Sequence, residues 1–213
     1  MASNAIQDML TPLARGEDWT PATAQRAFQI VMSGGATPAQ VAALLMGLRI
    51  KGETVAEITA AAQVLRHKAL TFHAPPGTID TCGTGGDGTH TLNISTATAI
   101  VTAACGVPVA KHGNRGVTSA SGSSDLLSAL GVDVHASPET SQRALCACGL
   151  CFLMAPLYHE AMRHVAMVRQ ELGLRTIFNI LGPLANPART SHQLLGVYHA
   201  DWLRPLAHVL DQL

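Results

Sequence analysis

Residues 78–111 read TIDTCGTGGDGTHTLNISTATAIVTAACGVPVAK, and this stretch decides the fold. It opens on Thr78-Ile-Asp-Thr-Cys82, a short β-branched and apolar run that predicts a strand directly after the turn-forming Pro75-Pro76-Gly77. Ser95 to Cys105 then carries a helical pattern, and Val107 to Lys111 reads as a second strand. A strand, a helix and another strand in succession need a crossover connection, which predicts parallel pairing. Further along, Ser123 to Leu130 reads as helix, Val132 to Val134 as strand, Pro138 to Cys148 as helix and Cys151 to Ala155 as strand. The expected class is therefore α/β with a mainly parallel central sheet, whose ligand edge lies at the C-terminal ends of its strands.

Working back from Pro75, the first seventy residues are punctuated as helices. Thr20-Pro21 and Thr37-Pro38 each place a capping hydroxyl before a proline at the first helical position. Thr37-Pro-Ala-Gln40 and Thr54-Val-Ala-Glu57 fit the capping box, and Gly34-Gly35 and Gly52 supply stops. Three or four short helices are expected. Val41, Leu44, Leu45 and Leu48 recur at helical spacing, a face for packing inside the domain or against a partner subunit. The expected organisation is a small helical domain over residues 1–73 and a larger α/β domain over residues 74–213, with helices around residues 158–182 packing back on the helical domain.

The charge balance excludes several function classes. Lys plus Arg equals Asp plus Glu at 14 each, and aromatic residues make up 4% of the chain, so neither a basic footprint nor a stacking platform for nucleic acid is present. No window approaches 18 uncharged apolar residues, and the N-terminus lacks the pattern of a secretory signal, so no membrane partner is expected and the chain reads as cytoplasmic. The five cysteines, Cys82, Cys105, Cys146, Cys148 and Cys151, lie in apolar segments and suit reduced thiols used as small core residues. Cys146-Ala-Cys148-Gly-Leu-Cys151 has no matching Cys or His pair at zinc-site spacing.

Chemistry concentrates just past the predicted strands. Cys82-Gly-Thr-Gly-Gly-Asp-Gly88 puts four glycines in six positions, letting the backbone turn sharply and bring N–H groups against an anion. It is neither a P-loop nor the dinucleotide fingerprint. Asn93-Ile-Ser-Thr96 follows at a helix start, where orphan N–H groups and hydroxyls favour phosphate. Lys111-His-Gly-Asn-Arg115 gathers two cations, a histidine and an amide around one glycine, and hydroxyls at positions 118, 119, 121, 123 and 124 lead into the next helix. Three strand-to-helix junctions converging on one diphosphate is the expected arrangement.

Gly83-Thr-Gly-Gly-Asp87, Asn93-Ile-Ser-Thr96, Lys111-His-Gly-Asn-Arg115, Ser121-Gly-Ser-Ser-Asp125 and Arg175-Thr-Ile-Phe-Asn179 with Gly182-Pro-Leu184 together resemble the anthranilate phosphoribosyltransferase family. The resemblance implies transfer of a phosphoribosyl group from phosphoribosyl pyrophosphate to the amine of anthranilate, with release of pyrophosphate, in tryptophan biosynthesis. It implies that phosphoribosyl pyrophosphate is held by Gly83, Gly86, Asp87 and Thr91 of the first loop and by Asn93, Ile94, Ser95 and Thr96 at the helix start. Lys111, His112, Gly113, Asn114, Arg115, Ser119 and Ser123 would complete that site. Ser95 would touch magnesium, the implied cofactor. Gly83, His112, Asn114 and Arg169 would receive anthranilate, with Arg169 clamping its carboxylate. No residue is nominated as a general base, because an aromatic amine is already uncharged near neutral pH and needs chiefly to be held in line. The family pairs as a homodimer through its N-terminal helices. Ala120 and Glu160 depart from residues common in the family.

Members of that family continue past this point into an acidic Asp-Glu pair that binds a second magnesium and finishes the sheet. The expectation is thus of an incomplete α/β domain that binds substrates weakly and turns over poorly. Two other readings share the scaffold. One is a pyrimidine nucleoside phosphorylase, whose own lysine and serine motifs are not found here. The other is a non-catalytic relative that binds nucleic acid, against which the charge balance argues.

Overall fold

The computed structural model describes residues 2–85, 92–115 and 121–213. They form two compact units, one of Met1–Ala69, Glu160–Leu184 and Asp201–Leu213, the other of Leu70–His159 and Ala185–Ala200. The first unit opens with α1 (Ala2–Ala14), α2 (Pro21–Met32), α3 (Pro38–Lys51) and α4 (Val55–Lys68). The threonines that the sequence marks as caps do cap: Thr20, Thr37 and Thr54 accept from the backbone N–H of Thr23, Gln40 and Glu57. Gln40 and Glu57 reach back to complete both capping boxes, each such cap contributing about 1 kcal/mol. Gly52 ends α3 at a φ of 89°, a conformation strained for residues with a Cβ.

Val41, Leu44, Leu45 and Leu48 are each at most 1% exposed, so this stripe is used up inside the helical unit and is not a face for a partner subunit. Glu57, fully buried, accepts from the Trp19 and Thr54 backbone N–H groups and pairs with Lys51 at 3.0 Å. That carboxylate fixes the loop between α1 and α2 against the start of α4.

The second unit carries a sheet of β1 (Ile79–Gly83), β2 (Val109–Gly113), β3 (Leu150–Met154) and β4 (His192–Gly196), in the order β3-β2-β1-β4 and parallel throughout. α5 (Ile94–Ala104) joins β1 to β2, α6 (Ser123–Ala129) and α7 (Pro138–Cys148) lie between β2 and β3, and the short α8 (Ala155–Tyr158) follows β3. The chain moves outward in one direction from β1 through β2 to β3 and then returns to place β4 on the other flank of β1. The strand order therefore reverses at β1, where open α/β sheets present their ligand crevice. Phe72, Ala110, Leu145, Cys151, Leu153 and Tyr158 form a core cluster of this unit, with Phe72 and Tyr158 edge to face at 6.2 Å.

The chain then supplies α9 (Arg163–Leu172), α10 (Ile177–Leu184) and α11 (Leu203–Asp211) to the helical unit. Phe178 of α10 meets Phe28 of α2 edge to face at 6.1 Å.

Several expectations need correction. Val132 to Val134 is not a strand: Val132 N–H closes the end of α6 on the Leu127 carbonyl, and Asp133 Oδ1 takes the His135 N–H in a side-chain turn. β4 has no counterpart among the strands expected from sequence. Cys82 and Cys151 are buried, yet Cys105, Cys146 and Cys148 are exposed at helix ends and are not core residues. α9 and α11 each begin directly after a 3-10 turn, Glu160–Met162 and Ala200–Trp202. No helix is long and apolar enough to cross a membrane among the described residues.

Candidate phosphoribosyl site

The site grows from the C-terminal ends of β1 and β2. Gly83 closes β1 against the end of β4, where a Cβ would come 3.2 Å from the Gly196 carbonyl oxygen. Thr84 then donates its N–H to that same oxygen at 3.0 Å and accepts the Tyr198 N–H on its hydroxyl at 2.9 Å. Gly85, at a φ of 67°, starts the turn. Gly86, Asp87, Thr91 and Ser119 lie outside the described residues.

The chain re-enters at Asn93, which begins α5 without capping it through its side chain. That amide instead donates to Ser121 Oγ at 3.2 Å and to the Gly122 carbonyl at 3.0 Å, at the start of α6. From the same side, Ser124 N–H points at the Asn114 carbonyl at 3.5 Å. Two junctions, not three, therefore build the described site: the glycine turn and the Asn93 helix start belong to one β1–α5 connection, and Lys111 through Ser124 to the β2–α6 connection. Ile94 and Thr96 donate their N–H groups to Leu92 and Asn93 carbonyls, so those two amides are engaged, and the Ile94 side chain is 63% exposed. Thr96 Oγ1 and Ser124 Oγ are buried with no hydrogen-bond partner among the described residues.

Lys111 is 2% exposed, and its ammonium donates to the Thr81 carbonyl at 2.5 Å and to Ser95 Oγ at 3.2 Å. Burial lowers its pKa from the ordinary lysine value, while attraction to Asp80 and Cys82 acts the other way. Among the described residues, two of its three N–H groups are engaged. Ser95 Oγ, also fixed by Thr81 Oγ1 donating to the Ser95 carbonyl at 2.8 Å, keeps a lone pair beside that ammonium. A single hydroxyl cannot cage magnesium, which prefers oxygen ligands and keeps phosphates and waters, but it fits as one ligand of an ion carried in on a diphosphate.

His112 is 6% exposed, with its ring 5.1 Å from that of His159. Gly113 is demanded by space, since a Cβ there would fall 2.7 Å from Phe152 Cε2 and 3.2 Å from Ser123 Cβ. Asn114 and Arg115 are exposed, and Asn114 Oδ1 accepts the Arg115 N–H at 2.8 Å. Ser123, half-buried, is the first residue of α6.

Arg169 stands in the helical unit, on α9, with its guanidinium carbon 5.3 Å above the Phe178 ring. Burial lowers its pKa, though an arginine stays cationic, and among the described residues it has no ion pair. It is not a freely solvated surface cation.

Reading from sequence missed Asp80, which is fully buried in β1. Its Oδ1 accepts the His112 backbone N–H and its Oδ2 the Gln193 side-chain amide, both at 3.2 Å. Desolvation raises its pKa, a hydrogen bond from Asn186 and the charge of Lys111 acting the other way. A lone aspartate inside a β-branched run was the available signal.

Comparison with known proteins places the chain in a family. Residues 7–69 match the model of the helical bundle domain of the glycosyl transferase family, and residues 75–213 match the model of its a/b domain. The chain is 54% identical over 211 residues to the anthranilate phosphoribosyltransferase of Rhodospirillum rubrum, a match covering 99% of this chain and 61% of that relative. It is 57% identical over 208 residues to the enzyme of the same name from Azospirillum brasilense, covering 98% and 58%. The crystal structure of anthranilate phosphoribosyltransferase from Thermus thermophilus superposes with a TM-score of 0.90 at 45% identity, covering 96% of this chain and 63% of that one. The Saccharomyces cerevisiae enzyme in complex with PRPP and Mg superposes at 0.87 and 29% identity, covering 96% and 61%. This chain thus spans less than two thirds of the length of these relatives. With both domain models matched in order and nearly end to end, the chain belongs to the glycosyl transferase family that combines a helical bundle with an a/b domain.

Proposed function

We propose that this chain contributes the phosphoribosyl-binding part of an anthranilate phosphoribosyltransferase, which moves the phosphoribosyl group of phosphoribosyl pyrophosphate onto the amine of anthranilate and releases pyrophosphate. The observation that carries the reading is the Asn93 side chain bonded to Ser121 and Gly122, which draws both strand-to-helix junctions to one place beside the Lys111 ammonium. Relatives over 50% identical bear that enzyme's name, and a structural neighbour was solved with PRPP and Mg.

Displacement at C1′ of the ribose builds negative charge on the departing diphosphate, so electrostatic stabilisation dominates. Lys111 supplies a held cation for that charge, and Gly83, Gly86, Asp87, Thr91, Asn93, Ser95, Thr96, Ser119 and Ser123 are assigned to hold the diphosphate. Ser95 Oγ would furnish one ligand to magnesium, which when bound neutralises diphosphate charge as a Lewis acid. Asn114 and His112 orient the aromatic amine, and the Arg169 guanidinium receives its carboxylate. No general base is assigned.

Residues 1–73 are taken as the helical domain and 74–213 as the phosphoribosyl-binding domain, whose helices around residues 158–182 pack back on the helical domain, in a cytoplasmic homodimer paired through the N-terminal helices. Titration calorimetry of phosphoribosyl pyrophosphate with and without magnesium tests the reading, with magnesium-dependent uptake expected and no uptake under either condition ruling it out. Loss of anthranilate fluorescence reports turnover, and light scattering reports the dimer.

A further inference from the structure

The three ladders of the sheet are not equally closed. β1 and β4 register through five pairs from Ile79 with His192 to Gly83 with Gly196, and β2 and β3 from Val109 with Leu150 to Gly113 with Met154. Between β1 and β2, the pair Ile79 with Val109 is the whole of the register among the described residues. The sheet is thus zipped on both flanks and open in the middle, toward the C-terminal ends from which the two site loops depart.

Two charged side chains occupy the backbone groups that a closed ladder would pair. Lys111 Nζ takes the Thr81 carbonyl, and Asp80 Oδ1 takes the His112 N–H. Asp80 also reaches the opposite neighbour, accepting from Gln193 of β4 at 3.2 Å, so one carboxylate binds β1, β2 and β4 at a single level. It is fully buried, and Asn186, which donates to the Ala110 carbonyl at 2.9 Å, packs at the same place. Burying a charge is costly unless every lone pair is matched, and a strand needs no carboxylate at this position for its own ladder.

We propose that Asp80 is a positioning residue of the phosphoribosyl site: its carboxylate, wedged between β1 and β2, sets the separation of the two strand ends and hence the width of the crevice at those ends. The inference rests on the reading of that crevice as the phosphoribosyl site. Its length and acceptor oxygen do this, rather than its charge.

Substitutions separate those properties. Asp80→Asn keeps the length and one acceptor oxygen while removing the charge, and Gln193 can turn its amide to match. Asp80→Glu keeps the charge and adds a methylene that the wedge cannot hold. Calorimetric titration with phosphoribosyl pyrophosphate and magnesium, on proteins shown to melt cooperatively, is expected to give near wild-type affinity for Asp80→Asn and a loss of about tenfold or more for Asp80→Glu. The opposite order, or equal affinity in all three proteins, overturns the proposal. Should Asp80→Glu fail to fold, Asp80→Ala takes its place, a loss of about tenfold supporting the proposal and wild-type affinity overturning it. A wild-type chain that takes up no phosphoribosyl pyrophosphate removes the reading of the crevice itself, and this inference with it.

Discussion

The side-chain amide of Asn93 lies 3.0 Å from the carbonyl oxygen of Gly122, joining the helix start after β1 to the helix start after β2. An asparagine at a helix N-terminus ordinarily turns inward to cap its own helix. Here that is forgone, and the two loops are fixed to each other. Asn93→Ala removes the tie without touching the core, so melting should stay near wild type while affinity for phosphoribosyl pyrophosphate falls about tenfold. Unchanged affinity in a calorimetric titration would show that the junctions are held together by something else.

Lys111 is a buried cation whose pKa is pulled down by desolvation, which means that folding gains little from its charge. Lys111→Met removes that costly ion but leaves the buried Asp80 carboxylate and the Thr81 carbonyl without this partner, so stability should fall by about 1–3 kcal/mol. Diphosphate binding should also drop, by about a hundredfold, the worth of a charge-assisted contact in a dry site. Urea denaturation and calorimetry on the same preparation give both numbers, and a variant that loses stability but not binding would make Lys111 a structural residue.

Much of this was legible in the sequence where local chemistry decides the outcome. Thr37 with Gln40 and Thr54 with Glu57 form capping boxes because the spacing alone suffices, and the glycine-rich run after β1 sits at a strand end as its position implies. β4 was silent because it is an edge strand, His192–Gly196, with alternate residues exposed and two leucines for an apolar signal. Val132 and Val134 mislead for the converse reason: β-branched residues favour strands, but Gly131 at a φ of 83° and the Val132 N–H close the end of α6, and the Asp133 side chain forms the next turn by accepting the His135 N–H. Lys111 is marked by its cluster with His112 and Arg115, and Asp80 only by being a lone aspartate in a β-branched run; the burial of both charges is not legible, since only the tertiary arrangement of three strands makes it tolerable.

Gly113 is crowded rather than conformationally special. A methyl group at this position meets the far edge of the Phe152 ring and the Cβ of Ser123. Gly113→Ala should cost about 1–3 kcal/mol by overpacking. Shrinking the obstacle with Phe152→Leu should return part of that cost in the double variant, and a thermodynamic cycle from urea midpoints measures the coupling. Strict additivity would mean that the strain is carried by Ser123 alone.

His159 is 6% exposed, and its Nε2 has no hydrogen-bond partner among the described residues, while the ring holds a hydrogen bond to the Ala185 backbone. Desolvation lowers its pKa from the ordinary 6.5 to about 4. Between those values the unfolded chain binds a proton that the folded chain refuses, so stability is complete above about pH 6.5 and is lost as pH falls toward 4. The full gap corresponds to about 3 kcal/mol. Other groups titrate in the same window, which makes the difference between proteins the useful quantity. His159→Phe keeps an aromatic ring beside His112 and removes the titration, so its urea midpoint should fall less than that of wild type between about pH 7.5 and pH 4.5, by an amount equivalent to about 2–3 kcal/mol. Parallel losses in the two proteins would mean that the His159 ring reaches solvent and takes up its proton in the folded state.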